Sequence, residues 1–381
     1  MIGKGEEIVA PIRHAEGAQP ADHVRLERRH RQRLHNENDR EEMRESSRTP
    51  NQDEENGAAT EEEHAKPKPA KNNHRALYGM TSSGQEASSL SRRSICICAD
   101  DYGLHAGINR AALELAQKKR ISAISCLVDG PAWAAGWEAL NAADATQVEV
   151  GLHLNFTEDL GHNRILYPLP KLIFLAYAHG LNRATLKLDI LRQLELFEST
   201  TGRMPDFVDG HQHVHQLPVI REALIEVMNE RYRSRKPWLR ATHAPEHLPN
   251  IRLPFSVKFK ARLIGSFGAS ALSRLARKHG YRQNQHLLGV YGFDLSEKRY
   301  LHNLRAWLKS AKEGDVLMCH PSLTGPWDDP ILAARYHEYR VLSGDAFSAL
   351  TDWAGIEIGA LPVRNSAANG NNDPDTGMFP R

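Results

Sequence analysis

Polar or ionisable side chains stand where apolar runs end at no fewer than four places in this chain: Asp100-Asp101 after SICICA, His153 and Asn155 in GLHLN, Asp209 to His215 in DGHQHVH, and His320 in MCHPS. Two adjacent carboxylates confined to one site repel each other, which raises the pKa of one of them. A divalent cation relieves the repulsion, with one carboxylate as ligand and its neighbour left as a general base. The plainer reading of Asp-Tyr-Gly is a turn or a helix cap. In GLHLN, strand alternation puts Gly151, His153 and Asn155 on one face and Leu152, Leu154 and Phe156 on the other. A single histidine on such a face is commonly a hydrogen-bonded core residue, so the motif gains weight only in company.

The segment Asp209-Gly-His211-Gln-His213-Val-His215 is the strongest local signal. On an extended strand its four ionisable residues stack on one side, a pattern that 20 histidines scattered at random seldom produce. On a helix, His211 and His215 would instead form an H-x-x-x-H metal pair. The preceding FVDG is strand-like and Pro218 suits the start of a helix. The expectation is therefore a strand followed by a loop, with His211 as a ligand and His213 or His215 lining the pocket. His320, fixed by Pro321, reads by itself as a structural histidine. Taken together, two imidazoles and a carboxylate leave coordination positions open, which marks a catalytic rather than a structural metal site.

The elements that must position these groups alternate. The runs SICICADD, ISAISCLVDG, QVEVGLHLNF, DFVDGHQHVH, PWLRATHAP, HLLGVYGF and GDVLMCHPS read as strands. Between them, INRAALELAQKKR, LKLDILRQLELFESTTG, LPVIREALIEVMNERY and YLHNLRAWLKSAKEG carry apolar residues at three and four spacings, several with a glycine stop. Strand alternating with helix predicts parallel strands in an α/β architecture. Four separated strands that all end in ionisable groups favour a (β/α) barrel, where strand C-termini converge on one rim. A doubly wound sheet would gather its ligands at a switch point instead.

Over 381 residues the hydrophobic fraction is 40%, low enough to imply that part of the chain adds little to a core. Residues 1–92 are highly charged and lack apolar periodicity, so they are expected to be a disordered leader, and Met80 is a candidate true start. The catalytic domain is expected over 93–362, with a disordered tail over 363–381. A net charge of +2 gives no reason to invoke nucleic acid or an anionic membrane surface. The N-terminus lacks an apolar signal core and no apolar run reaches membrane-spanning length, which predicts a cytoplasmic protein without a membrane span. Homo-oligomerisation is left open. Cys96, Cys98, Cys126 and Cys319 sit in β-branched surroundings and are expected to be inert core thiols.

The ordered motifs ADDYGLHAGINRAALEL, ISAISCLVDGPAW, VGLHLNFT, VDGHQHVH and MCHPS resemble those of the YdjC-like carbohydrate deacetylases, which include chitooligosaccharide (diacetylchitobiose) deacetylases and hopanoid-biosynthesis-associated relatives. The resemblance spans about residues 94 to 360. It implies an irregular (β/α) barrel of the polysaccharide-deacetylase-like type and removal of an acetyl group from an N-acetylated sugar. It also implies one divalent cation, magnesium by family habit and zinc as the alternative this ligand set accepts. By motif, Asp100 matches the catalytic base, Asp101, His153 and His211 match the metal ligands, and His320 matches the late-strand histidine. A protonated His320 would supply the departing amine with a proton. The choice of His211 over His213 is the least secured of the ligands. Relatives often carry histidine where this chain has Gln212, whose side chain a strand would point away from the site. His213, Asn155 and Tyr102 are expected to contact substrate, and Tyr102, Trp133 and Trp238 are candidates to stack on sugar rings, with core packing the commoner role for any single one of them. The segment 157–185 is a partly apolar insertion with the character of a lid or partner surface. Amidohydrolases and metal phosphoesterases carry H-x-H on the first strand, where this chain has Asp-Asp. A non-catalytic sugar-binding module would have no use for two crowded carboxylates.

Overall fold

The computed structural model describes residues 92–143, 148–245, 264–293 and 296–362. The expected leader, apart from Arg92, the candidate start at Met80 and the expected tail all lie outside the described residues.

Eight strands form one sheet: β1 (Arg93–Tyr102), β2 (Ala123–Cys126), β3 (Glu149–Leu154), β4 (Phe207–Gly210), β5 (Trp238–Leu239), β6 (Leu287–Leu288), β7 (Val316–Cys319) and β8 (Ile356–Ile358). Their order is β5-β4-β3-β2-β1-β7-β6, with β8 beside the start of β1, and every pairing is parallel. The described helices are α1 (Ala106–Gln117), α2 (Trp133–Ala142), α3 (Leu169–Tyr177), α4 (Arg183–Thr201), α5 (Ile220–Arg231), α6 (Ala269–Lys278), α7 (Glu297–Ser310), α8 (Leu332–Ser343) and α9 (Asp345–Ala354). Each of the seven apolar runs contains one strand, β1 to β7, and each of the four periodic segments falls on a helix. Among the described residues β5 and β6 share no ladder. Their seam is closed by Leu239 N donating to Arg282 O at 2.9 Å and Leu287 N donating to His243 O at 2.7 Å. This is an irregular (β/α) barrel. Among the described residues no helix is long and apolar enough to cross a membrane.

Alternation along each strand divides the apolar residues into two cores. Ile95, Ile97, Val150, Leu152 and Leu154 belong to the core shared with the helices, whereas Cys96, Cys98, Phe207, Trp238, Val316 and Met318 fill the barrel interior. Phe207 stacks on Trp238 with ring centroids 4.4 Å apart. Gly151 is what admits this pair, since a Cβ there would lie 2.4 Å from the Phe207 ring. All four cysteines are free and buried, and burial pushes the Cys96 thiol up to about 12, in keeping with inert core thiols.

The aromatic expectation needs correction. Trp238 belongs to the barrel interior, and Trp133 is buried and stacked on Phe197 at 5.9 Å. Tyr102 is fully buried and donates its hydroxyl to Gly136 O at 2.7 Å. Each is a large apolar surface that the core consumes, so none presents a ring to substrate. Asparagine at the N-cap explains where α4 begins: Asn182 Oδ1 accepts from Thr185 N at 2.9 Å. Gly202, left-handed at φ 70°, ends the helix as its sequence position suggested. Within the 157–185 insertion, α3 buries Leu172 and Ala176 and turns Leu169 and Ile173 into the wall of the central cavity.

Candidate active site

A cavity of about 700 Å³ opens at the C-terminal ends of the strands, with Asp100, Asp101, His153, His211, His213 and His320 among its lining residues. The barrel's polarity predicts this rim. The arrival of both aspartates does not follow from simple alternation, which would turn Asp100 inward and Asp101 out toward the helices. Asp101 instead adopts φ 68°, and the β1–β2 register shifts between Ala99 and Tyr102. The left-handed residue re-aims its side chain, so two consecutive carboxylates face one cavity. Such a conformation in a non-glycine residue costs about 1–3 kcal/mol and persists only where its surroundings fix it.

Those surroundings include two arginines. Arg240, just past β5 and wholly buried, donates to Asp100 through both terminal nitrogens at 2.6 and 2.7 Å and lies 2.6 Å from Asp209 Oδ2. Arg335 on α8, also buried, donates to Asp101 Oδ2 at 2.8 Å and to Asp329 Oδ2 at 2.8 Å. The carboxylate pair is thus neutralised one guanidinium to each. Burial alone would raise Asp101, but Arg335 and then His211 outweigh it and hold the carboxyl well below the usual range.

Asp101 Oδ1 is left facing the imidazoles, 3.0 Å from His211 Nδ1 and 3.4 Å from His153 Nε2. The other ring nitrogen of His153, Nδ1, donates to Asp209 Oδ1 at 2.7 Å, an oxygen that also accepts from Ser125 Oγ at 2.5 Å. A buried carboxylate behind a histidine fixes the tautomer and presents the far nitrogen, the usual support for a metal-binding imidazole. Burial pushes His153 toward its neutral form. Asp209 first, then Asp101, reverse this and bring it up to about 10.

Two clusters have donor atoms all within 4.8 Å of one another: Asp101, His153 and His211, and Asp100, His153 and Asp209. The second is spoken for, because both its carboxylates pair with Arg240 and Asp209 holds His153 Nδ1. The first keeps between two imidazoles a carboxylate oxygen that no arginine takes up, and its donor chemistry fits one divalent cation with open positions toward the cavity.

Residues 211–216 depart from the expected extended loop. His211–Gln216 form a 3₁₀ turn with Gln212 and His213 left-handed, at φ 51° and 61°. The four ionisable residues therefore do not stack on one face. Asp209 points into the barrel, His211 meets Asp101, and His213 lines the cavity, its Nδ1 buried and without a hydrogen-bond partner among the described residues. His215 turns away and donates Nε2–H to Arg240 O at 2.9 Å. Gln212 also lines the cavity, contrary to the strand-based expectation. Asn155 does not reach substrate. Its Oδ1 accepts from Thr157 N and Glu158 N at 3.1 and 2.9 Å, and its Nδ2 donates to Glu158 O at 2.7 Å. It shapes the loop that brings Glu158 to the cavity.

His320 lines the cavity beside Phe293, ring centroids 5.1 Å apart, with its Nδ1 buried and without a hydrogen-bond partner among the described residues. Burial lowers it to about 4 despite the nearby Asp101 and Asp100, so it stands neutral rather than protonated. The sequence reading passed over Arg240, Arg335 and Ser125. A lone arginine in the apolar run PWLRATHAP was a usable signal for the first. ILAARYHEYR offers nothing that singles out the second.

Comparison with known proteins bears on the family and the fold. The family model described as "YdjC-like protein" matches residues 94–352. The mouse protein named carbohydrate deacetylase is 25% identical, over 74% of this chain and 98% of its own length. The chitooligosaccharide deacetylase of Serratia marcescens is 26% identical, over 69% of this chain and 93% of its own. An Enterococcus faecalis crystal structure, described as a cellobiose-phosphate cleavage protein, covers 71% of this chain and 97% of its own with a TM-score of 0.52. At 17% identity that structure establishes the fold alone. A family match over most of the described barrel, together with the cavity at its C-terminal rim, places the chain among the YdjC-like proteins, to which it belongs.

Proposed function

We propose that this chain is a carbohydrate N-deacetylase that hydrolyses the acetamido group of an N-acetylated sugar to acetate and the free sugar amine. The observation that carries the reading is the convergence of Asp101, His153 and His211 on one face of a buried site, in a family whose curated relatives are named carbohydrate deacetylases. Asp101, His153 and His211 would hold one divalent cation. The chemistry such a cation supplies when bound is Lewis-acid polarisation of the amide carbonyl and a lowered pKa for water. Two imidazoles and one carboxylate suit zinc at least as well as magnesium.

Asp100 is the base. Its carboxylate lines the cavity, held there by two hydrogen bonds from Arg240, and takes a proton from the attacking water. His320 begins the cycle neutral, so its acid role requires that the proton Asp100 takes from water pass to it, after which it delivers that proton to the departing nitrogen and both residues return to their starting states. An amine leaves poorly without that proton. His213, in the cavity lining, would contact the sugar. The experiment is acetate release from a panel of N-acetyl sugars, diacetylchitobiose among them, by chelator-stripped and then zinc- or magnesium-restored enzyme. Release that is lost on stripping and recovered on restoration is expected. Release indifferent to chelation contradicts the reading.

A further inference from the structure

Arg335 and Glu338 stand one turn apart on α8 and face the same way, both buried. Arg335 reaches Asp101 Oδ2 at 2.8 Å, and Asp329 steadies it through Nε at 2.8 Å. Glu338 accepts from the backbone N–H of His320 and, at 2.5 Å, from the hydroxyl of Tyr291. The α8 backbone joins in, since Ser322 N, just past His320, donates to Arg335 O at 3.2 Å. One helix thus grips both ends of the site: the carboxylate on β1, held in a left-handed conformation, and the histidine that follows β7.

We propose that Arg335 and Glu338 are positioning residues that lock Asp101 and His320 to a single rigid element. Arg335 occupies Asp101 Oδ2, which leaves Oδ1 alone to face His153 and His211, so Asp101 serves as a one-oxygen ligand. Without that bond the Asp101 side chain is free to rotate and its left-handed backbone to relax, which would carry the oxygen away from the imidazoles. Glu338 sets the depth of His320 in the cavity without touching its ring nitrogens. The inference rests on the deacetylase reading above and assigns to α8 the task of fixing the geometry which that reading requires.

The test measures zinc and magnesium affinity by chelator competition, and kcat and KM on the sugar of the panel turned over fastest, for the full chain and its variants. Arg335→Met is expected to weaken cation affinity 10- to 100-fold, the usual effect of removing a group that orients a ligand, and Arg335→Lys to restore it only in part. Glu338→Leu is expected to lower kcat at least tenfold with cation affinity unchanged, and Glu338→Gln, which still accepts from His320 N–H, to recover most of it. Wild-type cation affinity in Arg335→Met, or wild-type kcat in Glu338→Leu, overturns the proposal. Should Arg335→Met fail to fold, Asp329→Asn removes the charge that steadies Arg335, and unchanged affinity there is equally fatal. A wild-type protein that binds neither cation strikes the deacetylase reading itself. Binding by the wild type with no loss in Arg335→Met strikes this proposal alone.

Discussion

Replacing Asp209 by asparagine keeps the shape of the side chain and removes its charge. In the wild type Asp209 accepts from His153 Nδ1 at 2.7 Å, and Asp209 first, with Asp101 beside it, outdoes burial to bring the imidazole up to about 10. A cation arriving at the Nε2 side must displace the proton held there. At pH 7 the gap to a pKa of about 10 is three units, so apparent affinity is reduced about 1,000-fold, and the reduction shrinks about tenfold per pH unit. The wild type is therefore expected to bind zinc about 100-fold more tightly at pH 9 than at pH 7. Asp209→Asn removes the largest upward influence on His153 while Asp101 and Asp100 remain, so its affinity should rise less steeply with pH than the wild type's. At pH 9 it should sit about 10- to 100-fold below the wild type, because the imidazole has lost the carboxylate that made it a better donor. Competition against a metallochromic chelator at half-unit pH steps reads both lines. Equal slopes in the two proteins would refute the coupling of Asp209 to His153.

The same shift has a consequence for the cation-free protein. The folded pKa of His153, about 10, lies above its ordinary 6.5, so its contribution to stability is complete below pH 6.5 and lost as pH rises through 10. The melting temperature in chelator should fall between pH 7 and 10, and a profile that rises there would contradict the assignment. Asp100→Asn should cut turnover by orders of magnitude while cation affinity stays within a few-fold, as measured by acetate release and chelator competition. Arg240→Met strands two buried carboxylates and should destabilise by about 3–5 kcal/mol in chemical denaturation. Tyr102→Phe gives up the hydrogen bond to Gly136 and should cost about 1 kcal/mol with KM unchanged, because the ring is core.

How much of this was legible in the sequence depends on whether a side chain's fate is decided locally. β1 to β7 were legible because alternation and apolar runs are local signals, and the inward faces carrying His153 and Asp209 followed from period two. β8, Ile356–Ile358, was not, because unlike the still shorter β5 and β6 it does not lie in one of the longer apolar runs read as strands. The joint arrival of Asp100 and Asp101 depended on a left-handed residue, which no residue type announced. The same is true of Gln212 and His213, whose left-handed turn broke the stacking that extended geometry would have given. The expectation for Tyr102, Trp133 and Trp238 failed because position near a strand end says nothing of which core a large ring completes. Arg240 and Arg335 act across 140 and 234 residues of chain, on Asp100 and Asp101 respectively, a distance at which no local pattern survives.

The most direct measurement is anomalous diffraction from crystals of the protein soaked in zinc, with data on both sides of the absorption edge. One strong peak bonded at about 2.0–2.2 Å to a carboxylate oxygen of Asp101 and to ring nitrogens of His153 and His211 is the predicted result. A peak held by other residues, or none at those three in zinc-soaked crystals, would contradict it.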